Sequence, residues 1–430
     1  MKNNFYDSFL YRVWSFLFIT NGKWEISKTR VGKIFQKAYI PHLTEVLTII
    51  AVSIYWYEGL IIKYWAGFPS DWLALLGVLL ALFFADKEKM VFGKAQLYLL
   101  FFYLVLVVSG LVAISQGANP AMIFKGLLLF LQFGLILFTG LNLNRNITKV
   151  VIWLSLPLGL IGIYQYLVKI PTSSLWLSPG EKLTRVFAFF GSPNVFGILM
   201  AVIFFLSLGF FLKGRKYVYL PLSFVSLFAV GLSYSRSAWL GLALSLGFCL
   251  LIYNYKYLMY LPLLLLALVI PQIRNRLLLA TSASYLFDST LDGRLWAINN
   301  GLYVFKQYFL IGSGPGSYGG KIALNYASPT YLDGLQRGYT ALYFTDNQYL
   351  QLLVQSGILG ILSFMGFLVA SFSSLIRQYG VKKDIMTLTA IGAFSCFVVS
   401  GLFANVLEFG AIAIPVGLIL GIELGETNLN

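Results

Sequence analysis

Long apolar runs alternate with short polar connections along nearly the whole chain. A helix that crosses a bilayer needs roughly 17–25 apolar residues, and the chain contains repeated runs of about that length. Twelve are predicted, near 43–62, 70–86, 95–116, 121–140, 147–168, 195–212, 217–233, 237–254, 257–271, 347–376, 385–404 and 405–424. Two glycines, Gly357 and Gly360, lie inside the longest run and predict a tilt or a break there.

Composition agrees with this pattern and sets the fold class. Hydrophobic residues make up 59% of the 430 residues and charged residues 11%, with a mean hydropathy of +0.80. Soluble proteins carry about 25% charged residues, so this chain cannot build a water-facing surface. We predict an all-α, polytopic integral membrane protein with about 12 transmembrane helices and one long external loop that carries short helices.

The runs divide the chain into five predicted segments. They are a cytoplasmic N-terminal segment with an interfacial helix (1–42), transmembrane helices 1–9 (43–271), a long external loop (272–346), transmembrane helices 10–12 (347–424) and a cytoplasmic tail (425–430). The N-terminal segment is apolar but carries Arg12 and lacks a small-residue cleavage site. It is therefore interpreted as a surface helix rather than a signal peptide.

The basic residues predict the orientation. An even number of spans puts both termini on one side, and that side carries nineteen basic residues against five in the short loops of the other. The positive-inside rule therefore places both termini in the cytoplasm and the 272–346 loop outside. This bias and attraction to anionic lipids are one interpretation of the net charge of +15, and an anionic substrate is the other. The basic residues are scattered, so no nucleic-acid partner is expected.

The sequence offers no set of residues for a cysteine or histidine metal site. Cys249 and Cys396 lie inside apolar runs and are interpreted as small hydrophobic residues, and His42 is the sole histidine. A zinc-type site needs several such ligands, so we expect neither a metal nor another cofactor.

Basic residues on the predicted outer face need another explanation. They fall in "GEKLTRVFAFFGSPN" (180–194), in "SYSRSAWLG" (233–241) and in the long loop. Arg236 lies between two spans among hydroxyl side chains, which predicts a polar pocket; the alternative is an arginine that reaches the lipid headgroups. Arg185 precedes Pro193-Asn194, a pair whose simplest role is to begin the next span.

Arg294 opens a stretch that is predicted to form a helix on the outer surface. Its apolar face is predicted from positions at helical spacing: Leu295, Ile298, Leu302 and Phe305. The alternative role for Arg294 is a local ion pair with Asp292. The next segment, "GSGPGSYGG" (312–320), lacks the strand and lysine-bearing helix of a phosphate loop and is predicted to be a tight turn toward the membrane.

A carboxylate, Asp346, opens the longest apolar run, in "TDNQYLQLLVQSGILG" (345–360). Thr345 and Gln348 fit a capping box, with Asp346 in the first helical turn. A carboxylate near several arginines can also hold a hydroxyl group and accept its proton. Both interpretations stay open, and Glu408, near the outer end of the last span, is a second candidate acid.

Several of these segments occur in the order seen in one family of membrane enzymes. An arginine before "SPN", then "SRSAWLG", "GRLWAI", "GSGPGSY" and "DNQYLQLLVQSGILG", resembles the O-antigen ligase and polymerase family across roughly 180–376. The resemblance implies a metal-independent glycosyltransferase of the bacterial inner membrane, which takes a glycan from an undecaprenyl-pyrophosphate carrier on the outer face. The acceptor would be lipid A core for a ligase and a carrier-linked repeat for a polymerase. Membrane lipids and polysaccharide-assembly proteins are further expected partners.

The same resemblance implies which residues act. The catalytic positions would be Asp346, Arg236 and Arg294. It also implies that the pyrophosphate would be held by Arg236 and Arg294, with Arg185 as a further family arginine. The sequence adds Asn194, Asn347 and Arg337 as candidate ligands for the pyrophosphate or glycan. Arginine suits a pyrophosphate because its fork binds two oxygens at once. Family ligases carry a histidine in place of Asp346, whereas Asn347, Gly357 and Gly360 keep the family spacing.

A membrane transporter is the alternative from another class, either for an anion or as a flippase for a lipid-linked sugar. Such proteins show repeated halves or broken helices, with charges near mid-membrane. The charges here cluster at the predicted outer mouth, and no clear repeat is visible, which favours surface chemistry. A non-enzymatic scaffold is a third interpretation, against which the clustered arginines argue.

Overall fold

The fold is helical almost throughout. The structure, a computed structural model, describes residues 24–25, 43–62, 70–83, 91–173, 177, 183–279, 282, 287, 290, 294–326, 328 and 345–428. Its helices are α1 (Leu43–Ile62), α2 (Ser70–Phe83), α3 (Lys94–Ser115), α4 (Pro120–Gly140), α5 (Asn146–Leu167), α6 (Pro193–Gly214), α7 (Tyr219–Leu232), α8 (Arg236–Asn254), α9 (Pro271–Leu279), α10 (Arg294–Gln307), α11 (Lys321–Asn325), α12 (Gln348–Lys382), α13 (Ile385–Ser400) and α14 (Gly410–Asn428). A 3₁₀ helix (Tyr255–Val269) follows α8, and the strands β1 (Trp24–Glu25) and β2 (Val91–Phe92) pair antiparallel.

Six helical segments within the described residues are long and apolar enough to cross a membrane. They are α3, α4, α5, α6, α12 and the segment Arg236–Leu266, which joins α8 to the 3₁₀ helix. The prediction of a helical, multi-pass membrane protein is therefore confirmed. Each predicted apolar run overlaps a helix, while the count of twelve spans, the segment boundaries and the orientation stay predictions. The predicted interfacial helix lies outside the described residues.

The helices pack through small residues and aromatic rings. A Cβ on Gly421 in α14 would lie 2.1 Å from the Leu137 carbonyl oxygen in α4, so the two helices approach closely only because glycine is there. Phe133 in α4 stacks on Phe397 in α13, with ring centroids 5.7 Å apart. Apolar side chains at the periphery, such as Leu167 at 72% exposure, point to where lipid would lie.

Polar residues collect at two ends of the helical bundle. At one end α7 ends and α8, α10 and α12 begin; we call it the Arg294 end. At the other end the start of α5 meets the end of α14 through a contact between Arg145 and Glu423; we call it the Arg145 end. A helix of 19 residues such as α14 spans about 28 Å at 1.5 Å per residue, which separates the two ends.

One guanidinium group ties three helices together at the Arg145 end. Arg145 binds both carboxylate oxygens of Glu423 in α14 at 2.6 Å and also contacts Asp384, the N-cap of α13. Arg145 further donates to the Thr387 hydroxyl at 3.0 Å. The side chains of Arg145 and Glu423 are only 14% and 3% exposed. Charges this far from water need their partners, so the cluster fixes α5, α13 and α14 relative to one another.

α12 breaks at Gly357, in agreement with the glycines in its sequence. Gly357 has a φ of 64° and a ψ of −167°, so the helical hydrogen bonds are interrupted around it. N–H groups of the glycine-rich segment (312–320) replace them; for example, Ser313 donates to the Val354 carbonyl at 2.9 Å. The glycine-rich segment is buried. It is thus a tight turn packed against a membrane-crossing helix, as predicted.

The apolar face predicted for α10 is only half right, because Ile298 and Phe305 pack against the buried residues around Val304 whereas the two leucines do not. Leu295 and Leu302 are 38% and 42% exposed. The buried side is formed instead by Trp296, Ala297, Asn300, Gly301 and Val304. α10 packs against α12, where a Cβ on Gly301 would come within 2.9 Å of Leu350 Cδ1. Two helices can approach closely only where small residues lie between them. α10 therefore packs through its small residues, and its leucines point outward.

We expect Arg145→Met to destabilise the fold by about 3–5 kcal/mol, because it leaves the buried carboxylate of Glu423 without its partner. Thermal unfolding of the purified protein in detergent measures the loss. Adding Glu423→Gln should recover part of it, since the second change removes the unpaired charge.

The matched control for this prediction is Lys216→Met, an exposed basic residue just beyond α6. It should change stability by less than about 0.5 kcal/mol. Equal effects of the Arg145 and Lys216 variants would show that Arg145 does not hold the three helices together.

Candidate active site

The turn between α13 and α14 (401–409) joins the elements that carry the candidate residues. Its Phe403 carbonyl accepts a hydrogen bond from Arg294 at 3.1 Å. Its Asn405 side chain accepts from the backbone N–H of Asn347 at 3.1 Å. The start of α10, the start of α12 and the 401–409 turn therefore form one unit at the Arg294 end.

Arg294 and Asp346 form an ion pair within this unit. Arg294 Nη2 lies 3.4 Å from Asp346 Oδ2, and the guanidinium carbon lies 5.8 Å from the centre of the Phe403 ring. The two charged side chains are 34% and 36% exposed, so the pair is open to solvent on one side. The alternative partner, Asp292, lies outside the described residues.

Asp346 does not lie in the first turn of α12, and the predicted capping box is wrong. The N-cap is Asn347, whose side chain accepts an N–H of the first turn at 3.0 Å. The Thr345 hydroxyl donates instead to a side chain of the 401–409 turn. Asp346 has a φ of 46°, a conformation that aspartate tolerates better than most residues. Its carboxylate therefore interacts with Arg294 and not with the start of the helix.

A second group of arginines surrounds the connection between α7 and α8. Arg185 donates through Nε to the Ser233 carbonyl at 3.0 Å, and Arg276 donates through Nε to the Tyr234 carbonyl at 2.9 Å. Both arginines are buried, at 3% and 8% exposure. Tyr234 has a φ of 48°, which is strained for a tyrosine. The two guanidinium groups hold the connection in this shape, and Arg236 follows as the first residue of α8.

The serine hydroxyl groups that were predicted to line a pocket beside Arg236 instead build the connection itself. Ser235 is the N-cap of α8, and its hydroxyl lies 2.9 Å from that of Ser237. The Ser233 hydroxyl donates to the Val230 carbonyl. All three serines are buried, whereas Arg236 stays partly exposed.

Arg236 and Arg294 lie at the same end of the bundle. The carbonyl of Ser237, next to Arg236, accepts a hydrogen bond from the Ser400 hydroxyl at 3.4 Å. Ser400 directly precedes the 401–409 turn, to which Arg294 donates. One short turn therefore connects the surroundings of the two guanidinium groups that the sequence singles out.

The other predicted ligands make contacts within the protein. Arg185 donates to the Asn194 side chain at 2.9 Å, so these two residues bind each other across the start of α6. Asn347 caps α12. Arg337 lies outside the described residues, and its role stays a prediction.

Two carboxyl groups at this end have raised pKa values, and both lie outside the membrane-crossing helices. Packing removes water from Asp346 and raises its pKa, while the charge and hydrogen bond of Arg294 act in the opposite direction. Burial raises the pKa of Glu408 to about 7, against opposing hydrogen bonds from the Gln351 side chain and the Lys321 backbone. Carboxyl groups with raised pKa values are typical of sites that move protons.

Two parts of this site were missed by the sequence analysis. Arg276 lies in α9, where nothing in the sequence distinguishes it from Arg274. The 401–409 turn is apolar except for Asn405 and Glu408, and it lies inside the last two predicted spans. A signal for the turn is present in α12, since three buried glutamines recur there at helical spacing within an apolar run: Gln348, Gln351 and Gln355.

These features define a multi-pass membrane protein with a solvent-accessible arginine–carboxylate pair at one end of a helical bundle. Residues 221–365 match the family model described as O-antigen ligase, over about a third of the chain. The match includes Arg236, Arg294, Asp346 and the glycine-rich segment, whereas the candidate ligands before α7 lie outside it. The resemblance indicated by the motifs is therefore confirmed over these residues. No curated protein matches the chain.

We expect Arg276→Ala to destabilise the protein by about 1.5–3 kcal/mol, because the buried Tyr234 carbonyl loses a charged hydrogen-bond donor. Thermal unfolding in detergent measures this change. Arg274→Ala is the matched control, since Arg274 is exposed on the same helix and should have an effect within about 0.5 kcal/mol. If both variants unfold like the wild type, Arg276 does not support the connection.

Proposed function

We propose that the protein is a glycosyltransferase of the cytoplasmic (inner) membrane that transfers or polymerises a glycan taken from an undecaprenyl-pyrophosphate carrier. The acceptor is a glycan or a lipid-linked sugar, and the Arg294 end faces away from the cytoplasm. The observation that carries the proposal is the Arg294–Asp346 pair, partly open to solvent at the end of the bundle where Arg236 begins α8. The family match supports it, because O-antigen ligases act on a lipid-linked oligosaccharide and an acceptor in the membrane.

Arg236 and Arg294 are suited to hold the donor pyrophosphate. Each is the first residue of a helix, a position where a positive side chain is unfavourable for the helix dipole. An anion bound there would interact with both the guanidinium group and the N–H groups of the helix start. The pyrophosphate gains charge as it leaves, so donors placed beside it stabilise the transition state more than the ground state.

The reaction is a displacement at the anomeric carbon of the donor sugar. The acceptor hydroxyl oxygen forms a bond to that carbon while the bond from the carbon to the pyrophosphate oxygen breaks. The electron pair leaves with the carrier pyrophosphate, and the hydroxyl proton passes to Asp346. Attack from the side opposite the leaving group inverts the anomeric configuration.

Asp346 is the proposed base. Its pKa is raised by packing, which makes it a stronger base than an ordinary aspartate at neutral pH. The contact with Arg294 at 3.4 Å keeps the base next to a group that binds the leaving phosphate. Histidine, which family ligases carry at this position, also tolerates the left-handed backbone seen here, so one geometry can present either base.

Arg185, Asn194 and Asn347 contribute to binding indirectly in this proposal. Arg185 and Asn194 pair with each other at 2.9 Å and support the connection that carries Arg236. Asn347 caps α12 and so fixes the residue before it, Asp346. Arg337 is retained as a candidate ligand from the sequence alone.

The distribution of buried charge favours this proposal over a transporter or a flippase. Those alternatives predict charged groups near mid-membrane. Among the described residues, the buried charged side chains are Arg185, Arg276 and Glu423. Each lies near an end of the bundle, which fits chemistry at one surface better than passage through the protein.

We expect Arg236→Ala and Arg294→Ala each to lower glycan transfer by roughly 10²–10³-fold or more, because each removes a donor to the leaving group. Arg→Lys at either position should also reduce transfer, since the charge remains but the fork is lost. The assay follows chain growth from undecaprenyl-pyrophosphate oligosaccharide, with and without a lipid A-core acceptor.

Lys306→Ala is the control for this experiment, because Lys306 is exposed on the same helix as Arg294. Gel filtration of each variant checks that the fold is intact. Full transfer by both alanine variants would discard the assignment of the pyrophosphate site.

We expect Asp346→Asn to slow transfer about a hundredfold while the fold is kept, because the amide cannot accept the proton. In the wild type, activity should rise with pH as Asp346 ionises, at a pH above that of an ordinary aspartate since its pKa is raised. The variant should lack this rise. A pH profile of turnover measures both effects, and unchanged turnover would leave Asp346 without a role in proton transfer.

A further inference from the structure

We propose that Glu408 is a positioning residue of the candidate site. Its carboxyl group ties the 401–409 turn to α11 and α12, and so sets where Arg294 and Asp346 lie relative to each other. Glu408 lies outside the segment that matches the family model. Only the activity test of this inference rests on the proposed function. The contacts of Glu408 can be tested without a substrate.

The carboxyl group of Glu408 is held between two elements. Oε1 accepts a hydrogen bond from the Gln351 side chain in α12, and Oε2 accepts one from the N–H of Lys321 at 3.2 Å, at the start of α11. A Cβ on Gly320 would come to 1.5 Å from Oε1. Glycine is therefore required at 320 for the carboxyl group to fit, and the two elements are shaped around it.

Other residues of the same turn connect Glu408 to the ion pair. Asn405 accepts the N–H of Asn347, the residue after the proposed base, at 3.1 Å. The Phe403 carbonyl accepts from Arg294 at 3.1 Å. A displacement of the turn would therefore move the partners of both members of the ion pair.

Removal of water from Glu408 favours its protonated form, although the hydrogen bonds that it accepts favour the carboxylate. Burial raises its pKa to about 7 and outweighs the hydrogen bonds from Gln351, Lys321 and Asn405, which lower it. Lys321 is the charged group among the described residues that acts on it. The packed arrangement binds the proton more tightly than solvated glutamate does. The stabilisation that this proton gives the packed arrangement is therefore complete at low pH and is lost as the pH rises toward about 7.

Hydrogen–deuterium exchange of the full-length protein in detergent tests the proposal. Peptides 316–326 and 345–352 report on the two elements that Glu408 joins, after correction for the intrinsic pH dependence of exchange. In the wild type their protection should fall by about tenfold between about pH 5 and about pH 7.5. A peptide from 120–140 should not change.

Two variants separate the carboxyl group from its charge. Glu408→Gln imitates the protonated acid and should keep high protection at both pH values. Glu408→Ala removes the contacts and should give low protection at both. Wild-type protection that does not depend on pH, or wild-type behaviour of Glu408→Ala, would overturn the proposal.

Activity then distinguishes this inference from the proposed function. With undecaprenyl-pyrophosphate oligosaccharide as donor, turnover should fall about tenfold in Glu408→Ala. In the wild type, the rise in turnover from the ionisation of Asp346 should be followed by a decline as Glu408 ionises near pH 7. Glu408→Gln should keep the turnover and lack this decline. If even the wild type transfers no glycan, the proposed function fails while the exchange data still decide the role of Glu408. Transfer that Glu408→Ala leaves unchanged would overturn the role of Glu408 and leave the function standing.

Discussion

A backbone inside a bilayer must find its hydrogen-bond partners within the protein, because lipid offers none. Where α12 breaks, the glycine-rich segment (312–320) provides these partners, and the Gln355 side chain adds a bond to the Gly316 N–H at 2.8 Å. The rest of the Arg294 end is assembled on this junction. The Tyr318 hydroxyl donates to the Ala297 carbonyl of α10 at 2.8 Å, and the Gly319 carbonyl accepts from the 401–409 turn. The break in one helix thus fixes α10, the turn and the start of α12 together.

The arginines at the Arg294 end divide by burial into two kinds. Arg185 and Arg276 are buried and donate to consecutive carbonyl groups. An arginine bound in this way stabilises a strained backbone, and drawing it toward a substrate would leave a buried carbonyl unsatisfied. Arg236 and Arg294 are partly exposed at helix starts, where a substrate can approach. The buried pair therefore supports the chain that carries Arg236, and the exposed pair is the one suited to contact an anion.

The sequence predicts the helices well, because a bilayer requires apolar runs of a definite length and those runs are plain to see. It also predicts the break at Gly357, because glycine in the interior of a helix destabilises it. It fails where tertiary contacts decide. The 401–409 turn places Asn405 and Glu408 among apolar residues, so its sequence merges into the predicted spans on either side. Contacts with that turn decide that Asn347 and not Thr345 caps α12. Arg276 differs from Arg274 because the Tyr234 carbonyl lies within its reach. The spacing of residues along the sequence does not show this contact.

Both ends of the bundle contain an arginine bound to a carboxylate. The two ion pairs differ in burial and in contact distance, which explains why only one resembles a substrate-binding site. At the Arg145 end the guanidinium is 14% exposed and binds several acids at short distances. Such an arrangement is costly to disturb. At the Arg294 end both charged groups are about a third exposed, and a single 3.4 Å contact joins them. A pair this weak costs little to separate, so a more highly charged anion can replace the carboxylate on the guanidinium. Aspartate displaced in this way would lose the charge that lowers its pKa, and it would become a better proton acceptor at the moment the donor binds.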